Sequence, residues 1–346
     1  MHRPFSGWSA TTTPLRRRVR SSLLLLSVSI AVVAGFVGAC TGEDAVLTAV
    51  TPGDGGANGD VDVDDAGLDA GDRPCDPAKD FDPPVPVGGL ATPEYAESTA
   101  RFSPDERVVY FTRFGYVDAS ASDFATDIYT ASRASTTLGF DAPRLMTELG
   151  SDGAKESPTV TADGKGFFFL SLLLPAGVFK TTGKLPPFVS AERLPGPINE
   201  GPLTLSPYVL PDGSALYVAK RLTAEPSRGV IHRAARGTGA YDDVQPVTAL
   251  GPSTDDDYPV VTADELTIYW ASQRGGAGTQ DIYEATRQDA KSPFSAVRRV
   301  DSLSTAARDE RPTFISADGC RLYYASSVRV KPPATASDIF VATKPK

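Results

Sequence analysis

A short phrase recurs five times along this chain and constrains its fold more than any other feature of the sequence. The clearest copy is ESPTVTADGKGFFFL, from Glu156 to Leu170, which has the pattern of a short strand, an Asp-Gly turn and an apolar strand. The turn aspartates of the five copies are Asp105, Asp163, Asp212, Asp264 and Asp318. Spacings of 58, 49, 52 and 54 residues indicate one supersecondary unit that packs against its own copies.

Each unit continues with two more strand-like segments. The third resembles DIYTASR at Asp127, and the fourth starts with an aromatic residue and ends with an aliphatic one, as in FSAVRRV from Phe294. Short alternating segments rich in Val, Ile, Tyr and Phe are typical of strands, and no segment shows a helical period of apolar residues. Four antiparallel strands in each of five units predict an all-β fold, a five-bladed β-propeller over residues 75–346.

The fifth unit lacks its fourth strand, because the sequence stops at Lys346, just after the third. The segment FDPPVPV, residues 81–87, has the form of a fourth strand and precedes the first unit. We therefore expect residues 81–87 to complete the last blade, which would close the ring and cover its exposed strand edges.

Two cysteines lie where they would fasten this closure. Cys75 is six residues before the closing segment, and Cys320 begins the second strand of the last blade. The second and fourth strands of an up-and-down blade start at the same face, so the two cysteines are predicted to form a disulfide. An exported protein reaches an oxidising compartment that permits the bond. Two free thiols are the alternative.

The N-terminal residues have the features of an export signal. Arg16, Arg17, Arg18 and Arg20 precede an apolar run from Leu23 to Gly38, so residues 1–39 are predicted to be a signal peptide. An uncleaved membrane anchor is the alternative, although the run is short for spanning hydrocarbon. Residues 40–74 are rich in Gly, Asp and Ala and contain no aromatic residue, which predicts a disordered acidic tether before the propeller.

The string VGAC, Val37 to Cys40, resembles the lipobox of bacterial lipoproteins, in which the cysteine is diacylated and becomes the new N terminus. That resemblance implies Cys40 as the lipid attachment residue and the bacterial cell envelope as the location. Thr41, rather than Asp, follows the cysteine and favours the outer membrane, with the periplasmic or surface face left open.

A second resemblance concerns the repeats. SPD at Ser103, ADG at Ala162, PDG at Pro211 and ADG at Ala317, each followed by DIY, DIF or a relic of it, resemble TolB-type propeller repeats. The resemblance covers about residues 81–346 and implies the propeller fold and a protein-interaction platform in the envelope. The α/β domain that TolB carries before its propeller has no counterpart here, so TolB's own partners are not carried over.

Acidic residues mark the candidate binding site. The first strand of each blade is expected to line the central channel, and four of the five begin with an acid: Glu97, Glu156, Asp257 and Glu310. A ring of carboxylates at one channel mouth would hold a cation such as calcium, a cationic ligand or a glycosidic bond. The alternative is that each carboxylate accepts hydrogen bonds from nearby loop amides. Phe114, Tyr116 and Arg274, in variable loops of the same face, are further candidate contact residues.

The remaining composition excludes several function classes. With two histidines, His2 and His232, and no GxSxG, HExxH or P-loop string, a catalytic triad or a multi-histidine metal site is not expected. A net charge of −9 argues against nucleic acid. The leading hypothesis is a monomeric, lipid-anchored envelope protein that binds a protein or glycan without catalysis or a cofactor. The alternative is a five-bladed glycoside hydrolase that uses carboxylates at the channel mouth.

Overall fold

Twenty strands in the described part of the chain form five antiparallel four-stranded sheets. The structure is a computed structural model, and it describes residues 74–346 apart from 94, 117–123, 151–152, 183–189, 222–227, 252–254, 276–278 and 329–336. The predicted signal peptide, Cys40 and the tether up to residue 73 lie outside the described residues. No helix among those residues is long and apolar enough to cross a membrane.

The five sheets are the predicted blades. Blade 1 consists of β2 (Ala96–Phe102), β3 (Val108–Tyr116), β4 (Phe124–Ser132) and β5 (Arg144–Leu145). Blade 2 consists of β6 (Lys155–Val160), β7 (Phe167–Ser171), β8 (Gly177–Thr182) and β9 (Ser190–Arg193). Blade 3 consists of β10 (Leu203–Val209), β11 (Ala215–Arg221), β12 (Gly229–Arg236) and β13 (Tyr241–Pro246). Blade 4 consists of β14 (Asp257–Val261), β15 (Thr267–Ser272), β16 (Asp281–Thr286) and β17 (Ser295–Arg299). Blade 5 consists of β18 (Arg308–Ile315), β19 (Arg321–Val328), β20 (Ser337–Thr343) and β1 (Val85–Pro86).

The innermost strands, β2, β6, β10, β14 and β18, contact one another in that order around a closed ring, which confirms the five-bladed propeller. Each innermost strand begins at one end of the channel, which we call the strand-start end. It finishes at the Asp turn, at the opposite end, which we call the hairpin end. The hydrophobic core lies between adjacent blades, where strand side chains of one sheet pack on the next.

The turn aspartates have the structural role predicted for hairpin chemistry. In every blade the Oδ1 atom accepts a hydrogen bond from the amide two residues later, for example Asp163 from Lys165 at 2.9 Å and Asp212 from Ser214 at 2.8 Å. Three turns place Gly at the following position, with φ between +67° and +74°. Blades 1 and 4 instead place Glu106 and Glu265 there, at φ +56° and +57°.

The predicted closure is confirmed. Val85 pairs with Val341 and Pro86 with Phe340, and the amides of Asp82 and Val87 donate to Thr343 and Ile339, both at 2.9 Å. Only two of the seven predicted residues, Val85 and Pro86, form the closing strand, so it is short. The Cys75–Cys320 disulfide is also present, with its Cα atoms 5.8 Å apart and 245 residues between them.

A 3-10 turn follows the fourth strand in each of blades 1 to 4. The sequence, which shows no helical period, did not predict these turns. They span Thr147–Leu149, Pro197–Asn199, Thr248–Leu250 and Asp301–Leu303. Each buries an apolar side chain, such as Leu250 or Leu303, under the blade edge. The turns therefore close the outer margin of the blades and lead the chain back to the channel.

Candidate functional site

The four predicted carboxylates do not occupy equivalent positions, which corrects the expectation of a single acidic ring. Glu156 and Asp257 stand seven residues before their turn aspartates and pair with Leu170 and Ala271. Glu97 and Glu310 stand eight residues before theirs. Since neighbouring residues of a strand point to opposite sides, the two pairs face different surroundings. For Glu310 the reason for this difference is that blade 5 carries one additional residue between its proline and its turn.

Glu97 and Glu310 are buried between the blades. Glu97 is fully buried and accepts hydrogen bonds from Arg113 Nε at 3.1 Å and Thr92 Oγ1 at 3.3 Å. Glu310 is 1% exposed and accepts from the hydroxyl and the amide of Thr305, at 2.8 and 3.2 Å. Both acids therefore accept a hydrogen bond from the loop that enters their own blade, and Glu310 accepts one from a loop amide, the kind of contact that the structural alternative describes.

The burial of Glu310 predicts a measurable pH dependence. Burial raises the pKa of this carboxyl from 4.5 to about 7, although hydrogen bonds from Thr305 oppose the shift. The folded state therefore holds the proton more tightly than the unfolded chain. The stability that this group contributes is fully present below pH 4.5 and is lost as the pH rises through about 7. We expect the Glu310→Gln variant, which stays neutral, to gain stability relative to the wild type from about pH 5 to about pH 8.

Urea unfolding of both proteins at each pH measures this difference. Glu148→Gln serves as the control, because Arg144 lowers the pKa of Glu148 and that group cannot produce the same trend. If the difference in free energy of unfolding between the wild type and Glu310→Gln stays constant across this pH range, the prediction is wrong.

Glu156 and Asp257 form the channel side of the strand-start end. Burial raises the pKa of both carboxyls, and the charge of Asp257 raises that of Glu156 further while Arg311 lowers it. These three residues belong to blades 2, 4 and 5, so the influence of Asp257 and Arg311 on Glu156 acts across the channel. Arg311 also lies over the Tyr258 ring, 5.3 Å from its centroid. Arg311 pairs with Ala325, which stands seven residues after the turn aspartate of blade 5, as Leu170 does in blade 2. Arg311, and not Glu310, is therefore the blade 5 residue equivalent to Glu156.

This arrangement carries its own counter-charges. Asp257 is 4% exposed and lies 3.5 Å from Arg221 Nη2, and its Oδ1 accepts from the Tyr258 amide at 2.8 Å. Glu156 is half-buried and is the more accessible acid. No group of three or more His, Cys, Asp or Glu side chains within the described ranges is arranged to hold a metal ion.

Arg274, one of the three predicted loop contacts, is held within the protein. It donates to Leu250 O and to Asp256 Oδ2, both at 2.7 Å, and lies over the rings of Trp270 and Tyr283. Phe114 is half-buried and pairs with Ala96 in the sheet. The side chain of Tyr116 lies outside the described residues.

Three consecutive leucines project at the same end of the channel and were not singled out from the sequence. Leu172, Leu173 and Leu174 are 41, 52 and 86% exposed at the tip of the loop between β7 and β8. The loop is held in place, because the Leu172 amide donates to Ala154 O at 2.9 Å and the Leu173 amide to Ser171 Oγ at 3.3 Å. The sequence LLLP could have indicated it, since four apolar residues in a loop are unusual.

The hairpin end contains a cavity of about 170 Å³ that is lined by all five blades. Its rim consists of the small residues that precede the turn aspartates: Pro104, Ala162, Pro211, Ala263 and Ala317. Deeper walls are apolar, with Val160, Val209 and Phe314 among them. Arg101 also lines the cavity and is 2% exposed. The sequence predicted binding only at the opposite end and did not indicate this cavity.

Comparisons with known proteins show the fold. No family model matches the sequence, and no curated protein matches it. TolB from Acinetobacter baumannii is 16% identical with a TM-score of 0.44, over 72% of this chain and 55% of that one, so the chain spans about half of its length. The α-L-arabinofuranosidase PaAbf62A from Podospora anserina, solved with cellotriose, is 9% identical with a TM-score of 0.50, over 78% of this chain and 98% of that one. A family 117 glycoside hydrolase from Zobellia galactanivorans is 9% identical with a TM-score of 0.48, over 77% of this chain and 90% of that one. The likeness shows the fold alone: a five-bladed β-propeller whose structural neighbours include both TolB proteins and glycoside hydrolases.

Proposed function

We propose that this protein is a non-catalytic, lipid-anchored binding platform of the bacterial envelope, with its binding surface at the strand-start end of the propeller. The lipid on Cys40 would hold the chain at the membrane, and the acidic segment 40–74 would act as a tether. The partner proposed is another envelope protein rather than a glycan, because the surface offers exposed aliphatic side chains.

The observation that carries this proposal is the exposed leucine tip, residues 172–174. Contiguous exposed apolar side chains are unfavourable on a monomer and are characteristic of interaction sites. The hydrogen bonds that fix Leu172 and Leu173 order the loop before binding, so less conformational entropy would be lost on association. Trp270, the only tryptophan in the predicted propeller, is fully buried and offers no surface on which a sugar ring could stack.

Site-specific photo-crosslinking in intact cells tests the proposal. A benzoylphenylalanine at position 173 should give one saturable crosslinked protein band. The same group at position 138 is the matched control, because Leu138 is 56% exposed against 52% for Leu173 but lies at the hairpin end. Excess unlabelled protein should suppress the band, and the Leu172→Ser, Leu173→Ser, Leu174→Ser variant should not. Equal crosslinking from both positions, or none from position 173, contradicts the proposal.

The alternative function is glycoside hydrolysis, with Glu156 and Asp257 as the carboxylate pair. Burial raises the pKa of both carboxyls, and the charge of Asp257 raises the pKa of Glu156 further. This favours the alternative, because a glycosidase needs one protonated and one ionised carboxyl group. The ion pair of Asp257 with Arg221 and its burial oppose it, since the carboxylate is already engaged.

Hydrolysis of an aryl α-L-arabinofuranoside separates the two functions. The binding-platform proposal predicts that the wild type and the Glu156→Gln, Asp257→Asn variant release aryl alcohol at the same background rate. An enzyme would lose at least about 100-fold of its rate in that variant, as expected when an acid–base pair is removed. Such a loss would establish the hydrolase function instead.

A further inference from the structure

Arg101 is a buried cation that forms no ion pair with an acidic side chain in the part of the chain that the structure describes. Its Nε and Nη1 atoms have no hydrogen-bond partner among the described residues. The remaining contacts are weak: Nη2 lies 3.5 Å from Pro207 O, and the guanidinium lies 5.0 Å from the centroid of the Tyr208 ring. Burial lowers the pKa of Arg101 to about 10, so the group remains charged at neutral pH. Unfilled donors on a buried charge are costly and call for an explanation in a native fold.

The position of Arg101 in the repeat points to a ligand rather than to the scaffold. It stands four residues before the turn aspartate of blade 1, where the other blades have Thr159, Tyr208, Val260 and Phe314. The other four residues are uncharged, so the position itself does not require a cation. Arg101 is the charged exception, and it lines the cavity of the hairpin end.

We propose that the hairpin-end cavity binds a carboxylate with a small apolar body, held by charge-assisted hydrogen bonds from Arg101. Nε and Nη1 together carry three N–H donors. Both atoms are buried, so the Arg101 side chain would rotate toward the cavity to donate to the carboxylate oxygens. The apolar walls, including Val160, Val209 and Phe314, would enclose a hydrocarbon or aromatic group. A volume of about 170 Å³ admits a ligand of the size of benzoate and excludes an oligosaccharide.

The small rim residues give such a ligand a path from the hairpin face. Ala162, Ala263 and Ala317 are exposed at the mouth and place no bulky side chain across it. The turn aspartates that surround the mouth are engaged by the amides of their own turns, as Asp105 is by Arg107 at 3.2 Å. At physiological ionic strength, salt screens the exposed charges of these aspartates over a distance of about 8 Å. The buried charge of Arg101 is screened much less.

Fluorine NMR of the full-length protein in detergent tests the proposal with 4-fluorobenzoate as the probe. We expect protein-dependent line broadening for 4-fluorobenzoate, and at least about tenfold weaker binding for the neutral isostere 4-fluorobenzamide. The Arg101→Met variant should abolish the broadening, and Arg144→Met, which removes an exposed arginine, should retain it. The Ala162→Phe and Ala263→Phe variants keep Arg101 but obstruct the mouth, and they should also lose binding.

Stability separates this role from a purely structural one. A binding role predicts that Arg101→Met is as stable as the wild type without ligand, or more stable, because an unpaired buried charge has been removed. Competition of N-acetylphenylalanine against 4-fluorobenzoate, with N-acetylphenylalanine amide as the neutral control, then shows whether the carboxylate of a peptide terminus is preferred to a free small acid. Equal binding of benzoate and benzamide, or retention of binding in Arg101→Met, overturns the proposal. The proposal is also overturned if Arg101→Met loses much of its stability and Ala162→Phe still binds 4-fluorobenzoate like the wild type.

Discussion

Reduction of the Cys75–Cys320 disulfide is expected to lower the free energy of unfolding by about 5 kcal/mol. The bond closes a loop of 245 residues, and a cross-link of that span removes a large conformational entropy from the unfolded chain. The folded state should change little, because the backbone pairing of the closing segment with β20 remains. Urea denaturation of the oxidised and reduced protein, followed by circular dichroism, measures the effect.

The Cys75→Ser, Cys320→Ser variant is the control for this experiment and should match the reduced wild type. Equal urea midpoints for the oxidised and reduced protein would show that the bond does not restrain the unfolded chain. An unchanged midpoint with an altered far-ultraviolet spectrum would instead indicate that closure of the ring depends on the bond, and would also contradict the expectation.

Replacement of Glu106 should have the second largest effect, a loss of about 3 kcal/mol of stability. Glu106 is 2% exposed, and its carboxylate accepts hydrogen bonds from Arg321, at 3.0 and 3.1 Å from Nε, and from the Tyr323 hydroxyl. Arg133 lies 3.9 Å away. Because Arg321 and Tyr323 belong to blade 5, this cluster joins the last blade to the first. The Glu106→Gln variant would remove the buried carboxylate that faces Arg133 and Arg321, and would leave Arg321 only the pair with Asp318, at 3.6 Å.

The exposed pair of Arg144 and Glu148 provides the matched comparison. Glu148→Gln should cost less than about 0.5 kcal/mol, as is usual for a surface pair. Glu265, which joins blades 3 and 4 through Arg233 and Arg287 in the same way, should behave like Glu106. A Glu106→Gln protein within about 0.5 kcal/mol of the wild type would show that the cluster is not required for closure.

The sequence predicted the fold closely because each of its signals is local and repeated. The Asp turn, the alternating strands and the aromatic start of the fourth strand recur in every unit, so an error in one copy is corrected by the others. Closure was predictable for a related reason: a strand edge left unpaired in the last blade requires a partner, and residues 81–87 are the segment with the right pattern. The pairing of Val85 with Val341 confirms that argument.

The sites were harder to predict, because they depend on register and on contacts between blades. One additional residue in blade 5 moved Arg311 into the position assigned to Glu310, and no pattern within one repeat reveals such a shift. Arg101 appears in the sequence as an ordinary charged residue of a strand. The role proposed for it rests on burial with two nitrogen atoms that no described residue hydrogen-bonds, which only the packing of the blades shows.

Hydrogen exchange of the closing segment tests the central claim most directly, since both channel ends exist only if the ring is closed. Amides of Asp82 and Val87, which donate to Thr343 and Ile339, should exchange as slowly as those in the middle of β20 and β11 in the oxidised protein. Rapid exchange throughout residues 81–87, while the blades stay protected, would mean that the ring is open and would contradict the account.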